Sequence, residues 1–419
     1  MFAEECGLKL VEVNLEKSWQ FVSQLKKRDP RSIVQALSFE LEVEIDPAKS
    51  LLFFDEIQAE PDILPILRYF YEEAKEYAVI ATGSLLEFVL AEPQFSMPVG
   101  RIELYHMGPL TFEEFLHALG RKQALAWLQE VALHEEVPDH VHSVLSRDVR
   151  LFTIVGGMPE SVSLFAESQD LVKVEKCKTS IIETIRLDFH KYVPRSNPRL
   201  LTTIFDSLPA MIGRKVIYSR LDSSHKSQTV SAALQQLCLA RVVSKVFNSA
   251  ANGVPLAAER NERFFKPLML DTGLLVSQLQ LNPVSIEDDA ELDLVNNGVL
   301  AEQMIGQELY QQSPRYQSPQ LHYWAREQRS ASAEVDYLVT DTNQSIIPVE
   351  VKAGSSGSLR SLHMMIAEKG LKKAIRFNSE KPSVLQEKRD SVKGPIEYTL
   401  ISLPHYLVQQ VARLLEDTE

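Results

Sequence analysis

The stretch SLLFFDEIQ, residues 50–58, indicates a buried strand that ends in two adjacent carboxylates. Similar apolar runs precede and follow it, with helix-like segments between them. The strand-like runs are LKLVEVNL (8–15), SLLFFD (50–55), YAVIATGS (77–84) and RIELYHM (101–107), and the helix-like segments are SWQFVSQLKKR (18–28) and PDILPILRYFYEEAKEY (61–77). Strands separated by helices of this length need crossover connections, so the N-terminal region predicts a parallel α/β sheet.

The composition is that of a globular protein with several domains. The chain has 419 residues, of which 45% are hydrophobic and 24% charged, and this length predicts about two to four domains. A formal net charge of -13 disfavours broad electrostatic binding to nucleic acid or anionic membranes, but not a local basic groove. Cys6, Cys177 and Cys238 are far apart, so neither a disulfide framework nor a metal cluster is predicted. We expect a cytoplasmic protein, since neither a signal-peptide pattern nor an apolar run of about 18 residues occurs.

Changes in the sequence pattern divide the chain into four predicted regions. Thr111 and Glu114 have the spacing of a helix capping box, and VGGMPES at 155–161 interrupts the helical pattern that follows. Further on, helices precede a strand and a return strand, as in a small winged-helix domain. The predicted regions are 1–108, an α/β core; 109–196, a helical lid or connector; 197–280, a winged-helix-like module; and 281–419, an α/β domain.

Asp55 and Glu56 follow their strand as the acidic pair of a Walker B motif does. In phosphate-transferring enzymes the first carboxylate orients Mg²⁺ through water, and the second polarises the attacking water. Thr82 and Ser84 end the next apolar run and would contact the γ-phosphate or that water, and Arg101 would neutralise transition-state charge. The alternative is structural, because an Asp-Glu pair after a strand also serves as a helix N-cap and exposed first turn.

The chain resembles a prokaryotic family of AAA-type ATPases that carry a C-terminal nuclease-like domain of unknown function. The resemblance rests on six motifs in order along nearly the whole chain: LLFFDEIQ, VIATGSLLEF, VGRIELYHMGPLTFEEFL, GGMPESV, LMLDTGLL and EVDYLV…VEVKAG. It implies a P-loop ATPase core in residues 1–108, ATP and Mg²⁺ as cofactors, and the ATPase roles of Asp55, Glu56, Thr82, Ser84 and Arg101.

The chain departs from this family at the phosphate-binding loop. Gly-Lys-Ser and Gly-Lys-Thr, which end such a loop, do not occur in the sequence. MFAEECGLKLVEVNL resembles the end of the helix that follows the loop, so we expect the chain to begin just downstream of it. The family sheet places the missing strand between YAVIAT and ELYHM. Without the loop, we expect an incomplete sheet and weak ATP binding by this chain alone.

The C-terminal region contains a second set of carboxylates. Asp336 lies on one predicted strand, and Glu350 and Lys352 lie on the same face of the next. A hairpin would place Asp336 beside Glu350, where both suit Mg²⁺, with Lys352 beside an attacking water and Glu302 ordering the site. The set resembles a PD-(D/E)xK nuclease site and implies an α/β nuclease-like domain. Alternatively, Glu350 and Lys352 form a surface ion pair of little energetic consequence.

Three hypotheses of function remain open at this stage. They are an AAA-type ATPase, a Mg²⁺-dependent nuclease, and a non-catalytic module that binds DNA or a protein partner. Basic residues of the winged-helix-like region are candidate phosphate contacts, or else solvated positions on a protein-packing domain. These residues are Lys215, Arg220, Lys226, Arg241 and Lys245. Asp271 in LMLDTGLL is predicted to be a cap or turn residue.

Overall fold

The computed structural model divides the chain into two compact units, Met1–Tyr105 and His106–Glu419. We call them the N-terminal unit and the C-terminal unit. The structure describes residues 2–17, 19, 21–23, 28–83, 100–192, 197–281, 294–326, 332–355, 357–391 and 394–417.

The N-terminal unit contains a parallel sheet in the order β1-β2-β3. Its elements are α1 (Phe2–Glu5), β1 (Lys9–Asn14), α2 (Pro30–Glu40), β2 (Ser50–Asp55), α3 (Leu64–Glu73) and β3 (Ala78–Ala81). Val13 and Phe54 from the strands are fully buried with Ile33 of α2 and with Phe70 of α3. This burial of apolar strands by crossover helices is the arrangement that parallel sheets require.

Two details of the N-terminal unit differ from the sequence-based expectation. The helix between β1 and β2 is α2, which begins at Pro30 and is capped by Asp29, whose Oδ1 accepts from the Arg31 amide at 3.1 Å. The expected helix at 18–28 is described only in part, and its residues 21–23 form a single 3₁₀ turn. The prediction of a strand in RIELYHM was wrong, because residues 102–107 belong to no strand. Among the described residues, β3 pairs only with β2, and the strand expected between YAVIAT and this segment is not among them.

The C-terminal unit begins with a series of helices, as the sequence predicts. The capping box at Thr111 and Glu114 is confirmed, and so is the break at 155–161, where one helix ends at Val155 and the next begins at Pro159. The helices are α4 (Phe112–Ala118), α5 (Lys122–Glu130), α6 (Asp139–Val155), α7 (Pro159–Ser168), α8 (Leu171–Asp188), α9 (Pro198–Ser207), α10 (Tyr218–Leu221) and α11 (Ser227–Leu239).

The rest of this unit forms a mixed sheet of eight strands in the order β10-β11-β9-β8-β7-β6-β4-β5. The strands are β4 (Val243–Ser249), β5 (Arg260–Met269), β6 (His322–Arg326), β7 (Ala333–Thr340), β8 (Ile346–Val351), β9 (Lys373–Asn378), β10 (Ser383–Ser391) and β11 (Gly394–Pro404). The accompanying helices are α12 (Thr272–Gln278), α13 (Leu294–Gln311), α14 (Arg360–Lys369) and α15 (Val411–Glu416).

The strands expected to form a wing belong to this same sheet. β4 pairs antiparallel with β5, and it also pairs parallel with β6 at Phe247 opposite His322. A separate winged-helix-like module is therefore not confirmed, and the finer division at 196 and 280 stays a prediction. The coarser prediction of an α/β multidomain chain agrees with one parallel and one mixed sheet. Within the described ranges, no helix is both long and apolar enough to cross a membrane.

Candidate functional site

Three of the predicted ATPase residues meet at the carboxyl ends of β2 and β3. Thr82 follows β3, and its hydroxyl donates to Asp55 Oδ1 at 2.7 Å. The same oxygen accepts from the Glu56 amide at 3.0 Å. These contacts arise because β2 and β3 are parallel neighbours, which places their last residues at one edge of the sheet. We call Asp55, Glu56 and Thr82 the carboxyl edge.

The turn after β2 holds Glu56 in an unusual backbone conformation. Its φ is 54°, in the left-handed region, which costs a non-glycine residue about 1–3 kcal/mol. The next amide, of Ile57, donates to the Thr82 carbonyl at 2.9 Å and ties the turn to β3. The Glu56 carboxylate accepts from Gln58 Nε2. The surrounding structure thus fixes both the Asp55 and the Glu56 carboxylates.

The carboxyl edge fits a water-bridged Mg²⁺ ion. Asp55 Oδ1 accepts two hydrogen bonds, while in the described part of the chain no donor reaches Oδ2. Mg²⁺ in phosphate-transfer sites usually keeps several waters and takes one or two carboxylates. Asp55 Oδ2 and the Thr82 hydroxyl oxygen are the groups that would hold such an ion and its waters.

Of the two other predicted ATPase residues, the structure describes only Arg101. Ser84 lies outside the described residues. Arg101 Nε binds Glu72 Oε1 at 3.1 Å, near the C-terminal end of α3. Since α3 crosses between parallel strands and runs antiparallel to them, its C-terminal end lies toward the amino ends of β2 and β3. The observed ion pair of Arg101 is thus with α3 and not with the carboxyl edge.

The second set of predicted carboxylates converges around a buried lysine of the C-terminal unit. Lys266 of β5 has a side chain only 2% exposed, and its Nζ lies 2.8 Å from Glu302 Oε1 and 2.9 Å from Glu334 Oε1. Asp336 Oδ1 is 3.7 Å from the same nitrogen. We call Lys266, Glu302, Glu334, Asp336, Glu350 and Lys352 the acidic cluster.

Two further oxygens of the acidic cluster also have hydrogen-bond partners. Asp336 Oδ2 accepts from the Val351 amide at 2.8 Å, and Glu350 Oε1 accepts from Lys352 Nζ at 2.6 Å. Glu350 Oε2 is buried and, within the described residues, has no hydrogen-bond partner. The backbone of Gly213 packs closely against Glu302. A Cβ added at Gly213 would lie only 2.6 Å from Glu302 Oε2. The cluster is therefore packed as well as ion-paired.

Burial and mutual charge shift the titration of this cluster. Burial raises the pKa of Glu302 to about 7 against the opposing effect of Lys266, and Asp336 adds to the rise. Burial, helped by Asp336, also raises the pKa of Glu350 to about 7, and Lys352 opposes it. Burial alone would lower the pKa of Lys266, but Glu302, Asp336 and Glu334 outweigh it and raise that pKa well above the ordinary value. Lys266 is therefore a charged ammonium at neutral pH.

The acidic cluster does not fit the Mg²⁺ ion expected at Asp336 and Glu350. Three of the four oxygens of these two carboxylates already contact Lys266, Lys352 or a backbone amide. Across the described residues, no group of three or more His, Cys, Asp or Glu side chains is arranged to hold a metal ion. The predicted residues come together, but around ammonium groups.

Comparison with known protein families places a recognisable domain at the N-terminus. Residues 2–116 match the family model of an AAA domain. The N-terminal part is similar to AAA domains. This match supports the resemblance of the N-terminal region to AAA-type ATPases, which the motifs around Asp55 also indicate. Residues 146–285 and 297–406 match models of two domains of unknown function, DUF8612 and DUF4143. Neither curated proteins nor solved structures gave a match.

Outside the AAA-like part, the predicted phosphate-contacting residues do not share one environment. Lys215 Nζ lies 3.5 Å from the centre of the Phe264 ring, and Lys245 Nζ donates to Gln235 Oε1 at 2.8 Å. Arg241 contacts the His106 ring, whereas Arg220 and Lys226 are exposed. Three of the five thus have side-chain partners among the described residues, and DNA binding by this region stays a prediction.

Lys266 and Glu334 of the acidic cluster were not among the site residues predicted from the sequence. Lys266 lies in the run FFKPLML, where apolar residues flank it on both sides. Lysine is almost never fully buried unless it is paired. A single lysine within this apolar run was therefore a signal that carboxylates would surround it. Glu334 lies two residues before Asp336 on β7, and the period of two in a strand places both side chains on one face.

Proposed function

We propose that the N-terminal unit has an ATPase-like function, with nucleotide and Mg²⁺ bound at the carboxyl edge. The hydrogen bond from Thr82 to Asp55 carries this proposal, because it holds the carboxylate that follows the strand in a fixed orientation. Asp55 would orient Mg²⁺ through water, and Glu56 would polarise the water that attacks the γ-phosphate. When bound, Mg²⁺ would neutralise the charge that develops on the phosphate oxygens.

We expect few phosphate contacts in the 419-residue chain, and this limits how tightly it would hold a nucleotide. A phosphate-binding loop supplies backbone amides and a lysine, and the Gly-Lys-Ser/Thr sequence that ends such a loop does not occur. Asp55 and Glu56 alone would repel a triphosphate. We therefore propose weak, Mg²⁺-dependent nucleotide binding by this chain, and measurable hydrolysis only in a form that also carries a phosphate-binding loop.

The test compares two protein samples, the 419-residue chain and the protein purified from its native host, whose N-terminus is read by intact mass. Each is titrated with a fluorescent ATP analogue and assayed for phosphate release. Where hydrolysis is present, Glu56→Gln should lower its rate by about 10²-fold or more, and Asp62→Asn, an exposed carboxyl of the following turn, should not. Equal rates for Glu56→Gln and the unmodified protein would refute the role of Glu56, and a lack of nucleotide binding in both samples would refute the proposal.

The nuclease hypothesis for the C-terminal unit stays a prediction. The convergence of Glu302, Asp336, Glu350 and Lys352 is the observation in its favour, and the engagement of their oxygens is the observation against it. Incubating plasmid DNA, single-stranded DNA and RNA with Mg²⁺ or Mn²⁺ tests it. Nicking that Asp336→Ala abolishes would support a nuclease, while intact substrates under all conditions would favour a non-catalytic binding module.

A further inference from the structure

Lys266 has the position that a metal ion would need in the acidic cluster. It reaches carboxylates from two separate elements, α13 and β7, and the contact to Glu302 spans 36 residues of sequence. The side chain comes from a third element, β5, where only 2% of its surface is exposed. A lysine brought to one point from so distant a strand is part of the fold and does not belong to a loose surface ion pair.

We infer that the Lys266 ammonium is the resident cation of the acidic cluster and that it excludes divalent metal ions from Glu302, Glu334 and Asp336. The inference concerns the C-terminal unit and is independent of the ATPase proposal. It goes beyond the nuclease hypothesis, because it predicts a cluster that keeps its structure without metal. It also predicts that a metal site appears when the ammonium is removed.

The walls around Lys266 suit an ammonium group better than Mg²⁺. The rings of Tyr323 and Tyr337 lie with their centres 5.2 and 5.9 Å from Nζ. Aromatic faces attract organic cations, whereas Mg²⁺ needs six oxygen ligands in a nearly octahedral arrangement. Tyr337 also donates its hydroxyl to the Glu302 carbonyl at 2.8 Å, which fixes that ring. The aromatic side of the site therefore selects for the lysine.

The exclusion does not result from a lack of access or of carboxylate oxygens. The Glu334 side chain is 38% exposed, so ions in solution can approach the cluster from that side. Glu350 Oε2, buried next to Asp336 and without a hydrogen-bond partner in the described residues, is an additional oxygen that a cation would use. The positive charge of Lys266 among these carboxylates, together with the aromatic rings beside it, separates the cluster from a metal site.

The experiment measures Mn²⁺ binding by the full chain with electron paramagnetic resonance of free Mn²⁺. Lys266→Met keeps the length and apolar stem of the side chain and removes the charge. It should gain one Mn²⁺ per chain, with an affinity about tenfold or more above that of the unmodified chain. The double variant with Asp336→Asn should lose the gained ion. Lys245→Met is the matched control, since it removes a lysine of the neighbouring strand that binds an amide oxygen, and it should gain no ion.

Two outcomes of the Mn²⁺ titration would overturn the inference. One is a folded Lys266→Met variant, verified by circular dichroism, that gains no ion. The other is an unmodified chain that already binds Mn²⁺ in a manner sensitive to Asp336→Asn. If Lys266→Met does not fold, amine labelling of the unmodified chain tests whether Mn²⁺ displaces the Lys266 ammonium. Lys266 should stay unlabelled while exposed Lys226 reacts, and added Mn²⁺ should leave this pattern unchanged. Mn²⁺-induced labelling of Lys266 would mean that metal displaces the ammonium, and would refute its role.

Discussion

The buried carboxyl of Glu308 should make the stability of the C-terminal unit depend on pH. Both of its oxygens lie 3.2 Å from the Phe112 amide, and Gln409 Nε2 donates to Oε2 at 2.7 Å. Burial raises the pKa of Glu308 to about 8 from an ordinary value of 4.5; these hydrogen bonds oppose the rise, and the charges of Glu113 and Glu114 add to it. Between these two pH values the native state holds a proton that the unfolded chain has released. Stability therefore falls as pH rises through this range.

The size of the effect follows from the width of that range. Each pH unit within it costs about 1.4 kcal/mol of unfolding free energy, and the loss is complete once Glu308 is ionised in the native state. Between pH 6 and pH 9 the chain should lose about 2–3 kcal/mol on this account. Glu308→Gln has no proton to release, so its stability should fall by that much less over the same interval. Glu136→Gln, at an exposed position, should fall as the unmodified chain does.

Urea unfolding at pH 6 and pH 9 measures this difference. Trp19 lies in the N-terminal unit, while the two other tryptophans of the chain, Trp127 and Trp324, lie in the C-terminal unit. In a Trp19→Phe background, tryptophan fluorescence thus reports the C-terminal unit alone. If Glu308→Gln loses the same free energy between the two pH values as its background does, the carboxyl is ionised throughout and the reasoning from burial is wrong.

Three further substitutions should change stability by amounts that the packing determines. Gly157→Ala would put a Cβ 2.1 Å from a backbone oxygen and should lower the unfolding free energy by about 1–3 kcal/mol or more. Gly120→Ala has open space at its Cβ and should lower it by only the roughly 1–2 kcal/mol of a left-handed backbone. Urea unfolding of the two variants measures this difference. The prediction that Asp271 is a cap residue is confirmed, since its carboxylate caps α12 and accepts from two buried amides. Asp271→Ala removes this acceptor and should lower the unfolding free energy of the C-terminal unit by about 2 kcal/mol or more, while Asp271→Asn should cost less. Phe54→Ala should cost the N-terminal unit about 3–5 kcal/mol, measured by urea unfolding followed by Trp19 fluorescence in a background with Trp127 and Trp324 replaced by Phe, and an unchanged midpoint would contradict the core assigned to β2.

The carboxyl edge could be predicted because it depends on strand direction alone. Once two consecutive strands are parallel, the residues that follow them lie at one edge, and so Asp55 meets Thr82. Asp336 and Glu350 were predictable for a similar reason, since the short loop between β7 and β8 makes a hairpin and fixes their register. In both cases a local rule of sheet geometry determines which side chains become neighbours.

The errors arose where a segment depends on partners that local patterns do not specify. Residues 102–107 have a strand-like pattern, but a strand forms only beside another strand, and the described part of the sheet offers none beyond β3. The helix at Pro30–Glu40 was missed although its start is readable, because Asp29 as N-cap followed by Pro30 is a typical helix beginning. The membership of β4 and β5 in the large sheet depends on the contact of β4 with β6, which lies far along the chain.

The carboxyl edge and the acidic cluster differ in how their carboxylate charge is compensated. This difference predicts at which of the two sites a divalent metal ion binds. At the carboxyl edge, Asp55 receives neutral donors from Thr82 and from a backbone amide, so that among the described residues its negative charge is oriented but not neutralised. In the acidic cluster, Lys266 and Lys352 supply positive charge directly to the carboxylates. A divalent cation gains electrostatic energy only where negative charge is not already compensated. Metal dependence of this chain should therefore be sensitive to Asp55→Asn and insensitive to Asp336→Asn, and the reverse pattern would mean that Lys266 does not compensate the carboxylates around it.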